Sequence, residues 1–108
     1  MKLWVDDVRP APEGYVWCKS VNEAKELVLI SEHRAATKDL NMIWRVELLD
    51  IDHDAGDYAC DGGDYIRLLD WLEETGRNYP IRIHSANPVG VQNMRRIIER
   101  NGWKEIRQ

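Results

Sequence analysis

The chain has 108 residues, of which 44% are hydrophobic and 31% are charged, and its formal net charge is −4. That length is enough for one hydrophobic core, so we expect a single domain over residues 1–108. The negative net charge argues against a surface that coats nucleic acid. No apolar run is long enough to span a membrane, and acidic residues appear from Asp6 onward, so we expect a cytoplasmic protein with no membrane anchor.

Apolar segments alternate with segments of helical periodicity along the chain. The loop of residues 8–14, with two prolines and a glycine, separates the first two predicted strands. The first helix follows a capping box of Ser20 and Glu23, and nothing in residues 31–42 marks its end. Strands are predicted over residues 2–5, 15–18, 46–51, 81–84 and 103–107, and the later helices over residues 64–75 and from Asn87 to Gly102.

The order of elements is therefore β-β-α-β-α-β-α-β. Strands that alternate with amphipathic helices predict an α/β domain with a mainly parallel sheet and helices on both faces. In such a sheet, ligands bind beyond the carboxyl ends of the strands. Side chains that can bind ligands or transfer protons lie at three of these ends. They are Asp6 and Asp7, then Asp50, Asp52, His53 and Asp54, and finally His84, Ser85 and Asn87.

The clustered carboxylates predict a cation site. Several ionised carboxylates at one place repel one another unless a cation lies between them. Oxygen ligands without thiolates suit Mg²⁺ or Mn²⁺. Neutralising one crowded carboxylate, as in Asp6→Asn or Asp52→Asn, is therefore expected to stabilise the metal-free protein. The three later acids of the following loop are interpreted as solvated or capping residues: Asp57, Asp61 and Asp64.

Two histidines at strand ends are candidates for proton transfer. His53 and His84 each lie beside an acid or a serine, where an imidazole serves either as an acid–base group or as a hydrogen-bonded structural residue. Ser85 lacks the glycine-flanked turn of serine hydrolases. The chain contains neither a P-loop nor a dinucleotide-binding glycine motif, so nucleotide binding of those types is unsupported.

The strand-end residues resemble those of response-regulator receiver domains. The matching features are the acidic pair Asp6-Asp7, the aspartates around Ile51, and Ser85-Ala86. In receivers the acidic residues hold Mg²⁺ and the hydroxyl contacts the phosphoryl group. The resemblance implies a flavodoxin-like fold, with the first receiver helix replaced here by the proline-rich loop. The usual lysine after strand five has no counterpart, which counts against a signalling switch.

The chain is more similar to a divergent family, the cyclic-phosphate processing receiver domains. Three motifs carry this resemblance: KLWVDDVRPAPEG, IDHDAG and IHSANPVG. In receivers one aspartate accepts the phosphoryl group. The receiver pattern favours Asp50 at this phosphoacceptor position, whereas the closer family's motif favours Asp52. We choose Asp52 and place Asp54 second.

These features together predict a metal-dependent phosphate-ester enzyme, with a cyclic phosphodiester as the substrate that the resemblance implies. The alternative is a phosphoacceptor or pseudo-receiver module that binds a partner. The expected ligand is a phosphate-containing small molecule, a nucleotide or an RNA end. The expected roles are Mg²⁺ (or Mn²⁺) binding by Asp6, Asp7 and Asp52, catalysis by His53, His84 and Asp54, and phosphate binding by Ser85 and Asn87.

Overall fold

The computed structural model describes residues 1–36 and 45–107. Residues 31–42, in which the sequence marks no end for the first helix, therefore fall partly outside the described residues. The strands are β1 (Lys2–Val5), β2 (Tyr15–Cys18), β3 (Leu48–Ile51), β4 (Ile81–Ile83) and β5 (Glu105–Ile106), and the helices are α1 (Val21–Ala36), α2 (Ile66–Glu74) and α3 (Pro88–Asn101), with a short 3₁₀ turn at Gly56–Cys60. None of the helices in this part of the chain is long and apolar enough to cross a bilayer.

The strands form one five-stranded sheet in the order β2-β1-β3-β4-β5, and every neighbouring pair is parallel. The predicted order of elements and the parallel sheet are thus confirmed. The end of α3 also agrees with its sequence signal, because Gly102 adopts the left-handed conformation that ends many helices. All five strands run the same way, so their carboxyl ends lie along one edge of the sheet.

The helices lie on one face of this sheet, where we had expected them on both. From β2 onward each new strand is added in the same direction, and right-handed crossovers then place α1, α2 and α3 on the same side. One core cluster joins these helices to the strand residues that point toward them. Those strand residues are Leu3, Val5, Cys18, Leu49, Ile51 and Ile81.

The opposite face carries aromatic and charged side chains. Trp4 is only 8% exposed but does not belong to the core cluster. It packs edge-on against Tyr15 and stacks on His84, with ring centroids 3.8 Å apart. Asp50, in register with Trp4 on the neighbouring strand, is fully buried on this face. A loop rather than a helix connects β1 to β2, as the proline-rich segment predicted.

Candidate functional site

Three aspartates meet at the carboxyl edge of the sheet. Asp6 and Asp7 follow β1, Asp52 follows β3, and one carboxylate oxygen from each lies within 4.8 Å of the others. β1 and β3 are paired neighbours, which brings their ends together. Of the three candidates for the acceptor position, the structure brings Asp52 into this cluster. Asp50 lies within β3, and Asp54 lies two residues after Asp52, outside the cluster.

A divalent cation fits this arrangement. Mg²⁺ binds oxygen at about 2.1 Å, so its ligands lie within about 4.2 Å of one another and small side-chain adjustments suffice here. Gly56 supplies a second indication. Its positive φ of 55° favours glycine, and a Cβ atom at this position would collide with the Asp7 carboxylate. The loop therefore leaves a notch that the side chain of Asp7 occupies.

The carboxylate of Asp6 is buried and well satisfied. Its Oδ1 accepts hydrogen bonds from the backbone amides of Val8 and Arg9, both at 2.9 Å, and its Oδ2 lies 2.9 Å from Nε2 of His84. Burial alone raises the pKa of Asp6. The two amide donors and the histidine outweigh burial, so this pKa lies below its usual value. The ionised form of Asp6 is therefore stabilised by the fold itself.

Asp7 has the opposite balance. Burial is the largest cause of its raised pKa, and the neighbouring carboxylates of Asp6, Asp52 and Asp57 raise that pKa further. Its own backbone amide opposes this effect only in part. The ionised Asp7 is thus destabilised in the metal-free protein.

These two pKa shifts predict opposite effects in EDTA. The lowered pKa of Asp6 means that its charge stabilises the fold above the unfolded-state pKa and that this contribution is lost as the pH falls. The raised pKa of Asp7 means that its charge opposes folding at neutral pH and ceases to do so as the pH falls. At pH 7 we expect Asp6→Asn to lower the free energy of unfolding by about 1.5–3 kcal/mol, as for lost hydrogen bonds to a charged group. We expect Asp7→Asn to raise it.

Denaturant midpoints in EDTA measure both changes. The expectation for Asp6 replaces the one drawn from carboxylate crowding alone, because the amides and the histidine now counterbalance its charge. A loss of stability in both variants would show that the Asp7 carboxylate is also a structural acceptor.

His84 is buried between two carboxylates. Its side chain is 7% exposed, its Nδ1 lies 2.7 Å from Asp50, and its Nε2 faces Asp6. The stacked indole of Trp4 covers the imidazole from one side. His84 therefore holds Asp6 in place, and neither ring nitrogen is left for a substrate.

Asp50 belongs to the same network on the helix-free face of the sheet. Its Oδ2 accepts a hydrogen bond from Arg82 at 3.0 Å. Burial and then the Asp50 carboxylate raise the pKa of Tyr15 beside it. Asp50 thus has three polar neighbours and no exposed surface, which suits a supporting role beneath the acidic cluster.

His53 and Asp54 form a pair at the start of α3. Nδ1 of His53 lies 2.9 Å from Oδ1 of Asp54. The side-chain amide nitrogen of Asn87 lies 3.5 Å from Nδ1 of His53 and 3.5 Å from Oδ2 of Asp54. The imidazole packs so closely on Gly90 that a Cβ atom there would overlap the ring. The Asp54 side chain is 63% exposed, whereas that of His53 is 15% exposed. The aspartate therefore presents the accessible end of this pair.

A cleft of about 380 Å³ opens beside Asp52 and Asp54. Ser85, Ala86 and Asn87 also line it. Ser85 Oγ accepts a hydrogen bond from the backbone amide of Asn87, and the Asn87 side chain caps α3 by accepting from Gly90. The structure thus places both predicted phosphate-binding residues in the cleft with Asp52 and Asp54.

The predicted acid–base histidines lie outside this cleft. Neither His53 nor His84 is among the residues that line it. The cleft contains instead a residue that the sequence analysis did not select, Arg9. Its only sequence signal was its place in the motif after Asp6-Asp7, because a loop arginine has no periodicity that reveals its direction.

The later acids of the loop mostly have structural partners. Asp61 accepts hydrogen bonds from Ser20 and Asn22, and Asp64 accepts one from the amide of Ala55. These contacts tie both acids to the fold, but neither side chain caps α2, which follows Tyr65 and has no side-chain cap. Asp57 is exposed and acts on the site through its charge near Asp7.

Comparison with known proteins gives one match. The family described as the cyclic-phosphate processing receiver domain matches residues 1–100. No curated protein and no solved structure matches significantly. The match spans all three motifs noted in the sequence and every residue of the acidic cluster and the cleft.

Proposed function

This chain belongs to the family of cyclic-phosphate processing receiver domains, and from that membership we propose that it is a metal-dependent enzyme acting on a cyclic phosphodiester. The observation that carries the proposal is that Asp52 belongs both to the cluster of three carboxylates and to the lining of a polar cleft. A cation site and a space for its substrate thus lie side by side at the carboxyl edge of the sheet, where ligands of parallel sheets bind.

Asp6, Asp7 and Asp52 would hold Mg²⁺ or Mn²⁺. When bound, such a cation supplies Lewis-acid polarisation of a phosphoryl oxygen. His84 fixes the orientation of Asp6 through its Nε2, and the amides of Val8 and Arg9 fix the other oxygen of the same carboxylate. A ligand carboxylate that is already oriented loses little conformational freedom when it binds.

Ser85 and Asn87 would contact the phosphate. The Ser85 oxygen already accepts one hydrogen bond from the Asn87 amide, which leaves its own proton to donate toward a phosphate oxygen. Asn87 also begins α3, whose amino end favours negative charge. Both residues line the same cleft as Asp52.

Proton transfer is assigned to Asp54, supported by His53. The exposed carboxylate of Asp54 lies in the cleft, and the imidazole beside it orients one of its oxygens. A positioned carboxylate is a suitable general base for a hydroxyl or water nucleophile. The sequence assigned acid–base work to both histidines. In this proposal His53 acts through Asp54, and His84 acts through the cation site.

A neighbouring hollow of about 400 Å³ offers room for the organic part of the ester. It shares Ser85 and Ala86 with the cleft and continues along α3 past Pro88, Val89 and Val91. Apolar walls next to a phosphate subsite suit an ester with a sizeable organic group. A nucleotide or an RNA end with a cyclic phosphate meets that description.

A second function, phosphoryl acceptance, is favoured by one observation. Asp52 lies both in the acidic cluster and in the cleft, so its carboxylate is accessible next to a cation site. A receiver-like module would take a phosphoryl group there and bind a partner. Such a module would need no acid–base pair.

One preparation distinguishes the two functions. With Mg²⁺ or Mn²⁺ we expect turnover of at least one of a panel of 2′,3′- and 3′,5′-cyclic nucleotides, together with a rise in melting temperature on addition of the metal. A metal at a hundred times its Kd stabilises the folded state by about 2.7 kcal/mol. Asp7→Asn should remove most of that rise.

Mass spectrometry after treatment with a small phosphodonor gives the competing result. A stable adduct of one phosphoryl group on Asp52, without turnover of any cyclic substrate, would exclude the enzyme and favour the phosphoacceptor. An unchanged melting curve at millimolar metal would argue against the cation site that both functions need.

A further inference from the structure

The backbone of Arg9 is fixed from two sides. Its amide donates to Oδ1 of Asp6 at 2.9 Å, and its carbonyl accepts from the indole nitrogen of Trp4 at 2.8 Å. Asp6 is buried, and Trp4 is 8% exposed, so both anchors belong to the packed part of the fold. The proline-rich loop thus presents the Arg9 side chain from a defined point at the rim of the cleft.

The guanidinium of Arg9 reaches across the edge of the sheet. Its Nη1 donates to the carbonyl oxygen of His84 at 3.1 Å, and the side chain lines the cleft together with Asp52 and Asp54. Among the cleft's lining residues it is the one with a positive charge. The carbonyl contact uses one of the five N–H donors of the guanidinium.

Within the described residues, Arg9 makes no ion pair with either aspartate of the cleft. Other arginines of the fold do pair with carboxylates: Arg67, Arg77, Arg82, Arg95, Arg100 and Arg107. The guanidinium of Arg9 thus lies beyond ion-pair distance of the carboxylates of Asp52 and Asp54. An anion placed between Arg9 and a cation held by the carboxylates would satisfy both sides.

We infer that Arg9 forms an anion subsite that binds a non-bridging oxygen of a phosphodiester, opposite the oxygen that faces Asp6, Asp7 and Asp52. The inference rests on the proposed function for the identity of the anion. A phosphodiester has two non-bridging oxygens, and the cleft is lined both by the positive Arg9 and by Asp52 of the cation site. Arg9 is therefore a substrate-binding residue of the same site.

The test is an NMR titration with dimethyl phosphate at saturating Mg²⁺. This diester has no organic group to fill the neighbouring hollow, so it reports on the phosphate subsite alone. In the wild-type protein we expect shifts at the Arg9 Nε–H and at the amides of Ala86 and Asn87. Arg9→Gln should weaken binding by about ten- to a hundredfold, the loss typical of a charge-assisted hydrogen bond. Arg9→Lys should retain part of the affinity.

Arg96→Gln is the matched control, since it removes the same charge from an exposed position of α3 and should bind dimethyl phosphate like the wild type. The melting-temperature rise with Mg²⁺ should be the same in all four proteins, which separates the subsite from the metal site. Wild-type affinity in Arg9→Gln, or no binding to the wild type at tens of millimolar, would overturn the inference.

The outcome also separates this inference from the proposed function. If cyclic nucleotides are turned over while Arg9→Gln binds dimethyl phosphate normally, the enzymatic function is supported and the Arg9 subsite is rejected. If no cyclic nucleotide is turned over but dimethyl phosphate binding depends on Arg9, the subsite stands and the enzymatic function falls.

Discussion

Replacing His84 with alanine should destabilise the protein by several kcal/mol, because each of two buried carboxylates loses a hydrogen-bond partner, and a hydrogen bond to a charged group contributes about 1.5–3 kcal/mol. His84 separates the carboxylates of Asp50 and Asp6, which are 0% and 1% exposed at their side chains. Without the imidazole, Asp50 keeps Arg82 and Asp6 keeps its amide donors, but each loses its bond to the ring. The flat face of Trp4 loses its stacking partner as well.

Denaturant unfolding measures this loss. His33→Ala is the matched control, because His33 is exposed near the end of α1 and should change the free energy of unfolding by less than about 0.5 kcal/mol. The double variant His84→Ala with Asp50→Asn should lose less than the sum of the two single variants, since both changes remove the same contact between the imidazole and Asp50. A His84→Ala protein as stable as the control would mean that the buried acids find other partners.

Asp54→Asn should lower the turnover of a cyclic phosphate by about 10²–10⁴, the usual contribution of a general acid or base. The amide keeps the size of the side chain but cannot take up a proton. The three carboxylates of the cation site remain, so Mg²⁺ should raise the melting temperature as in the wild type. His53→Ala should reduce the rate by the same mechanism, because Asp54 loses the imidazole that orients it.

Glu26→Gln is the control for charge, since Glu26 is an exposed acid of α1 that does not line the cleft. Its turnover should remain within a few-fold of the wild type. Full activity in Asp54→Asn would remove Asp54 from proton transfer. A rate loss accompanied by a lost response to Mg²⁺ would assign Asp54 to the cation site.

The position of the acidic cluster could be predicted from sequence because it depends only on where strands end. Apolar segments that stop at Asp6 and at Asp52 predict two parallel strand ends, and parallel strands end at one edge. The start of α3 could be predicted as well, since Asn87 followed by a proline is a strong local signal for the beginning of a helix. The family resemblance, also read from the sequence, is confirmed over residues 1–100.

The environment of each side chain could not be predicted in the same way. His84 ends the predicted strand and directly follows β4 in the structure, but its burial depends on Asp50 from β3 and Trp4 from β1, which approach it only in three dimensions. Arg9 lies in a loop whose direction is set by the Asp6 and Trp4 contacts. The one-sided arrangement of the helices follows from strand order, which alternation along the chain does not specify.

The sheet order has a consequence for the time course of folding. β1 precedes β3 by more than 40 residues in the chain, yet it is an inner strand that pairs with β3, which begins at Leu48. Contacts between segments far apart in the chain form slowly. Asp6 and Asp7 therefore meet Asp52 only in the step that docks β3 on β1. A divalent cation that needs all three carboxylates would therefore not nucleate folding. It would bind after this step and slow unfolding.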